Sequence, residues 1–219
     1  MMKKVAVILS GCGVYDGTEI HEAVLTLLAL DQAGATVQCF APDIAQHHVI
    51  NHLTGEVSSA ETRNVLVESA RIARGKVLPL SEFDAKSFDA VILPGGFGAA
   101  KNLSDFATAG PDLQVEPSLA AALQATHAEE KPIGFICISP VIAAKIFGPI
   151  GPKLTIGNDP AVAHTVNTLG AQHQDCLAGN ICADTHCKIF STPAYMLGAS
   201  LKDIAPGISQ LVQAVLSAA

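Results

Sequence analysis

Three short, unbroken apolar runs, each ending in a turn, most constrain how this chain can fold. Val5–Leu9 runs into Ser10-Gly-Cys-Gly13, Asp89-Ala-Val-Ile-Leu93 into Pro94-Gly-Gly96, and Ile133–Ile136 into Cys137 with Pro140 just beyond. Runs that are continuous rather than alternating fit strands buried on both faces, as in a parallel sheet covered by crossover helices. Helix-like segments fall between them. Asp16-Gly-Thr-Glu19 reads as a capping box opening a helix to about Asp31, and Ala33-Gly34 ends it. A second strand is expected at Val37–Ala41, closed by Pro42-Asp43. Residues 47–75 break the alternation, with an extended piece near Val49–Leu53 and a helix near Thr62–Ala73. A short strand at Lys76–Leu80 and a helix at Pro117–Glu129 follow. Leu154–Gly157, a helix near Ala161–Leu169, a hairpin of Ile181–Ala183 with Lys188–Thr192, and a last helix from about Met196 complete the pattern. The expectation is an α/β sandwich, mainly parallel, with helices on both faces. In such sheets the chemistry sits beyond the carboxyl ends of the strands, where the three turns can meet.

The 219 residues fit one domain with a substantial core, and 49% hydrophobic against 15% charged residues leaves little scope for disorder. A net charge of −7 without a Lys/Arg cluster argues against a nucleic-acid surface. No apolar run reaches the roughly 18–20 residues that cross a bilayer, and Val5–Leu9 is too short for a signal sequence. Six cysteines without dense, even spacing point to a reducing cytoplasm. Cys176, Cys182 and Cys187, with His173 and His186, miss the paired spacing of zinc ligands, so no metal is expected.

Cys137 alone has the setting of a nucleophile. A strand delivers it to a turn, and Pro140 opens a helix whose N–H groups and positive potential favour a thiolate or an oxyanion. The competing reading is a cysteine that merely packs. Gly95 and Gly96 let backbone approach a ligand and offer N–H groups to an oxyanion, though a Gly-Gly pair is often only a turn. Glu22 precedes Ala23–Leu30, which is apolar on nearly every side. Its carboxyl is therefore expected to be desolvated, with a raised pKa suited to proton shuttling, unless it serves only the helix dipole.

These residues carry a resemblance. Val7–Glu22, Asn51–Glu56, Glu61–Val65, Pro94–Leu103, the Cys137 turn and Thr192–Met196 resemble, in order, the ThiJ/PfpI branch of the class I glutamine amidotransferase-like superfamily, and within it the ElbB glyoxalase family. The resemblance implies a flavodoxin-like three-layer sandwich forming a single domain, usually homodimeric, with a nucleophile elbow at Cys137. Glu22 falls on the cysteine's acidic partner, Gly96 on the oxyanion glycine, and the N–H of Ile138 on a second donor. Asn102, Tyr15, Arg63 and Asn64 lie in family-like segments, and Asn102 is expected near the substrate. Ser139 stands where many relatives have glycine. No histidine matches a triad member: His173-Gln-Asp175 only imitates the late His-x-Glu segment, and His164 reads as a helix-surface residue. The implied activity is a cofactor-independent glyoxalase acting on a small dicarbonyl, glyoxal to glycolate, with apparent protein deglycation as a corollary. The alternatives are a redox sensor using Cys137, with Cys12 as a resolving thiol, and an amidotransferase glutaminase subunit.

Overall fold

In a computed structural model that describes residues 2–198 and 200–219, the elements follow in this order. β1 (Lys4–Ile8), α1 (Ile20–Gln32) and β2 (Thr36–Ala41) lead into an antiparallel pair, β3 (Ile50–Asn51) with β4 (Glu56–Val57). Next come α2 (Val65–Ile72), β5 (Val77–Pro79), β6 (Ala90–Leu93) and the short helices α3 (Phe97–Lys101) and α4 (Phe106–Ala109). α5 (Pro117–Ala128), β7 (Ile133–Ile136), α6 (Pro140–Phe147), β8 (Lys153–Leu154) and α7 (Pro160–Thr168) continue the chain. β9 (Gln172–His173), β10 (Cys182–Asp184), β11 (Ile189–Thr192) and α8 (Leu201–Ala218) finish it.

Seven strands form one sheet in the order β10-β11-β7-β6-β1-β2-β5, and β8 pairs with β9 separately. Every main-sheet pairing is parallel except β10 with β11. The pleat sends alternate side chains to opposite faces. Ala6, Ile8, Val91, Leu93 and Phe135 pack with α5, α6 and α7, whereas Val5, Val7, Ile92 and Ile136 pack with α1 and α8 and reach Val65 of α2. Both faces are thus covered, which is why the strands read as unbroken apolar runs. The expected three-layer, flavodoxin-like sandwich is the fold observed.

Several boundaries differ from expectation: α2 starts at Val65 rather than near Thr62, β8 ends at Leu154 rather than Gly157, and both α1 and the last helix start later. α1 begins at Ile20 and is capped by Glu19, whose carboxylate accepts from Glu22 N, rather than by Asp16. Tertiary bonds hold the intervening residues out of the helix. Gly17 O accepts from Gly98 N at 2.8 Å, and Thr18 Oγ1 accepts from Ser10 N at 2.7 Å. The Asp16 carboxylate instead accepts from Ile50 N at 2.7 Å and anchors the irregular region. The last helix starts at Leu201, after a 3-10 turn over Ala194–Leu197. Among the described residues no helix is long and apolar enough to cross a membrane.

α8 can approach β7 because Gly134 has no side chain. A Cβ there would lie 2.8 Å from Leu211 Cδ2 and 3.1 Å from Val215 Cγ2. Gly134→Val should overpack this seam and lower stability by about 1–3 kcal/mol, read as a reduced urea midpoint with an unchanged m-value.

Candidate active site

The chain runs from β1 through β2 to β5 on one side and then crosses to β6 on the other. A crevice therefore opens at the carboxyl ends of β1 and β6, where the strand order reverses. Glu19 N donates to Gly95 O at 2.9 Å and Phe97 N to Val14 O at 2.8 Å, which draws the β1 and β6 turns together. Gly96 has φ +94°, and an added Cβ would collide with Glu19 N and Gly17 O, so only glycine fits there.

Cys137 terminates β7 with φ +64°, a left-handed conformation costly for a residue with a side chain. The turn is over-determined. Cys137 N donates to Thr192 O at 2.9 Å. Ser139 Oγ accepts from Ile136 N at 2.8 Å and bonds Leu93 O at 3.0 Å, stapling the elbow to β6. Ser139 itself has φ −61° and needs no glycine. The serine that departs from the common glycine thus reinforces the turn.

Glu22 is fully buried beneath this elbow. Its Oε2 accepts from Gly95 N at 3.0 Å, its Oε1 accepts from Tyr195 N at 3.3 Å, and its carboxyl is hydrogen-bonded to Cys137. Tyr195 N reaches Glu22 because Ala194 before it is held at φ +42°. Burial, with the nearby Glu19 carboxylate, pushes the Glu22 pKa up to about 8, so the acid is mainly protonated at neutral pH. The Cys137 sulfur accepts from Gly96 N and Ile138 N, which favours the thiolate. Burial and the neighbouring Glu22 outweigh them and raise the thiol pKa well above its ordinary value. The sequence expectation of a helix-activated, low-pKa thiolate is therefore corrected: the helix N-terminus is present, but desolvation of a cysteine only 7% exposed dominates.

A cavity of about 330 Å³ opens over the sulfur. It is lined by Cys137, Ile138, Gly96, Glu19 and Tyr195, with apolar walls that include Val14, Phe97, Phe106, Val162 and Met196. A larger depression of about 540 Å³, between Leu80–Lys86 and α5, holds neither of these groups and no other nucleophilic thiol.

Cys137, Glu22, Gly96 and Ile138 are thus brought together. Gly95 is adjacent, but its N–H is committed to Glu22. Asn102 is not at the cavity: Nδ2 donates to Ser10 O and Asp16 O, both at 2.9 Å, and Oδ1 accepts from His47 N. It braces the β1 turn rather than facing a ligand. Cys12 has Glu68, Arg71, Asp16 and Arg63 as its charged neighbours and does not line the cavity. Arg63 pairs with Glu61 and Glu68, Asn64 bonds Asp43, and the Tyr15 ring lies 5.0 Å from that of His52, tilted by 32°. His173, at the end of β9, lies 3.6 Å from Asp175, and neither lines the cavity. His164 is exposed on α7. No cluster of three or more metal-ligating side chains occurs among the described residues.

Sequence reasoning missed Glu19, Tyr195 and His21. The Tyr195 hydroxyl is 3.0 Å from His21 Nδ1, and His21 Nδ1 lies 3.9 Å from Glu19 Oε1. Tyr195 sits inside the family-like Thr192–Met196 segment, a signal that could have drawn attention to it. His21 had none beyond its place beside Glu22.

No family model matches the chain. The rat ES1 protein homolog, mitochondrial, is 48% identical over 224 residues, spanning 97% of this chain and 83% of the rat protein. The human glutamine amidotransferase-like class 1 domain-containing protein 3, mitochondrial, is 47% identical over 224 residues, spanning 97% of this chain and 82% of its own length. The crystal structure of an isoprenoid biosynthesis protein with amidotransferase-like domain from Ehrlichia chaffeensis superposes with a TM-score of 0.92. It has 38% identity over 99% of both chains. A ThiJ/PfpI domain protein from Brachyspira murdochii shares the fold at a TM-score of 0.60 and 15% identity, over 98% of this chain and 94% of its own. The mitochondrial names overturn the expectation of a purely cytoplasmic protein. Cysteine spacing separates oxidising from reducing compartments, and does not tell one reducing compartment from another. With nearly half its residues shared across almost its full length, the chain belongs to the ES1 family of glutamine amidotransferase-like class 1 proteins.

Proposed function

We propose that the protein is a cofactor-independent glyoxalase that converts a 2-oxoaldehyde, glyoxal in the simplest case, into the 2-hydroxy acid. The observation that carries this reading is the fully buried Glu22 carboxyl hydrogen-bonded to Cys137, with Gly96 and Ile138 N–H groups on the sulfur. In its ionised form Glu22 takes the thiol proton as sulfur bonds to the aldehyde carbon, and returns it to the new oxyanion to leave a hemithioacetal. Gly96 and Ile138 N–H groups stabilise that oxyanion. Glu22 then removes the hydrogen of the former aldehyde carbon, giving an enediolate, and delivers it to the adjacent carbon. The hemithioacetal hydroxyl proton passes to the neighbouring oxygen, so the first carbon becomes a thioester and the second an alcohol; one carbon is oxidised as its neighbour is reduced and no external oxidant enters. Water cleaves the thioester, restoring the thiol and releasing glycolate from glyoxal. Removal of free dicarbonyl would also draw down early glycation adducts, giving apparent deglycation.

The same site fits its rivals less well. A glutaminase must hold an ammonium and a carboxylate and pair its cysteine with a histidine, and no lysine, arginine or histidine lines this cavity. A redox sensor needs an accessible low-pKa thiolate, whereas Cys137 is buried with a raised pKa. A homodimer, implied by the family resemblance, belongs to the same proposal. Its support is the exposed apolar stripe Ile20, Val24 and Leu28 on α1, and sedimentation of wild type against Val24→Asp tests it, with dissociation of the variant expected.

Cys137→Ala should abolish glycolate formation from glyoxal, and Glu22→Gln should lower kcat/KM by about 10²–10⁴-fold with an unchanged circular dichroism spectrum. Full activity in the cysteine variant would end the proposal. The pH profile has a definite sign. Because the base form of Glu22 is the minority below about 8, kcat/KM should climb with pH toward that value and then level off. The rise should vanish in Glu22→Gln.

A further inference from the structure

We propose that Glu19 is a positioning residue for the Cys137–Glu22 pair: its carboxylate, fixed against Glu22, sets the pH at which the buried acid becomes a base. This rests on the glyoxalase reading and deepens it. Glu19 is the N-cap of α1, and its Oε2 accepts from Glu22 N at 2.7 Å. The main chain holds it there as well. Glu19 N donates to Gly95 O at 2.9 Å, and Gly95 N donates to Glu22 Oε2 at 3.0 Å. Gly95 thus ties the two acids together through its own two backbone groups. Neither carboxyl can move away from the other without breaking the β6 turn.

Capping alone does not call for this residue. Helix caps favour Ser, Thr, Asp and Asn, whose short side chains suffice. A glutamate brings a charge that is costly to bury without a cation. Glu19 is only 7% exposed, and among the described residues its one ion-pair contact is His21, with Nδ1 3.9 Å from Oε1. His21 is turned outward and bonds the Tyr195 hydroxyl at 3.0 Å. The groups that face Glu22 are few. Glu19 comes from α1, Cys137 from the end of β7 and Tyr195 from the segment after β11, while the β6 turn presents only backbone. Charges on the helices packed against α1 are engaged elsewhere or lie in solvent. Glu68 of α2 pairs with Arg63 and Arg71, Asp203 of α8 bonds Ser200, and Lys202 is exposed. After burial, the Glu19 charge is the largest influence that keeps the proton on Glu22. Like charges held this close oppose each other's ionisation.

Glu19→Gln separates the charge from the cap, because its amide oxygen can still accept from Glu22 N. In the purified full chain, isotope-labelled at the glutamate carboxyl carbon, the Glu22 NMR resonance is assigned by its loss in Glu22→Gln. Its titration reports protonation without any turnover. The midpoint should fall by roughly one pH unit in Glu19→Gln. It should stay near the wild-type value in Glu19→Asp, which keeps both cap and charge. The rise of kcat/KM for glyoxal should move acidward with it in Glu19→Gln, to a lower plateau, because the base is weaker. The urea midpoint should not fall. An unmoved Glu22 midpoint in Glu19→Gln, or an equal shift in both variants, would overturn the proposal and leave Glu19 a cap alone. Turnover of glyoxal with that unmoved midpoint would leave the glyoxalase reading intact. A shifted midpoint with no turnover by wild type would sink the glyoxalase reading and retain the control of Glu22 by Glu19.

Discussion

A fully buried carboxyl sets the terms for the rest of this site. Glu22 is held by two backbone N–H groups, from Gly95 at the end of β6 and from Tyr195 after β11, while Cys137 approaches from the end of β7. Each contact comes from a different strand end, so the dyad exists only when β1, β6, β7 and β11 are aligned in one sheet. Backbone strain accompanies it. Cys137 and Ala194 both occupy positive φ, and both are fixed by neighbours that leave no alternative. Such conformations persist only where the surrounding structure over-determines them.

Two glycines make that convergence possible. A side chain on Gly95 would strike Cys137 and come within 2.8 Å of Glu22 Oε2, and one on Gly96 would strike the start of α1. The missing Cβ atoms let the β6 turn lie directly against the Cys137 thiol and the Glu22 carboxyl. The same closeness removes solvent, which explains why the acid and the thiol are both shifted toward their neutral forms. A pair of this kind suits the proton shuttling of the proposed mechanism rather than a permanent thiolate. Proton shuttling along an enediolate fits that behaviour better than direct attack on an unactivated amide.

Much of the fold was legible along the chain. β7 spans Ile133–Ile136 as the apolar run indicated, and α5 and α7 fall within a residue or so of expectation. Continuous apolar strands imply burial on both faces whatever the connectivity. The failures share one cause. Asp16 looked like a helix cap, but its loop is spent on contacts to Ser10, Gly98 and Ile50, so the helix starts at Ile20 with Glu19 as its cap. Asn102 looked like a substrate ligand, yet both amide hydrogens go to the β1 turn and its oxygen accepts from His47 N. Cys12 looked like a partner for Cys137, but its turn faces α2. Local residue type proposes a role, and long-range partners decide whether the group is free to fill it.

By itself the sequence determined the alternation of elements, the elbow cysteine, the acid in the first turn of an apolar helix and the glycine turn opposite. Each depends on periodicity or on residue chemistry within a short segment. Only the tertiary structure decided that Cys137 and Glu22 touch, that Ser139 staples the elbow, and that Tyr195 and Glu19 share the cavity. It also decided the protonation of the dyad, because desolvation depends on what packs around a group from distant parts of the chain. A helix N-terminus visible in sequence predicted an activated thiolate, and the burial that overrides it appears only when the sheet has assembled.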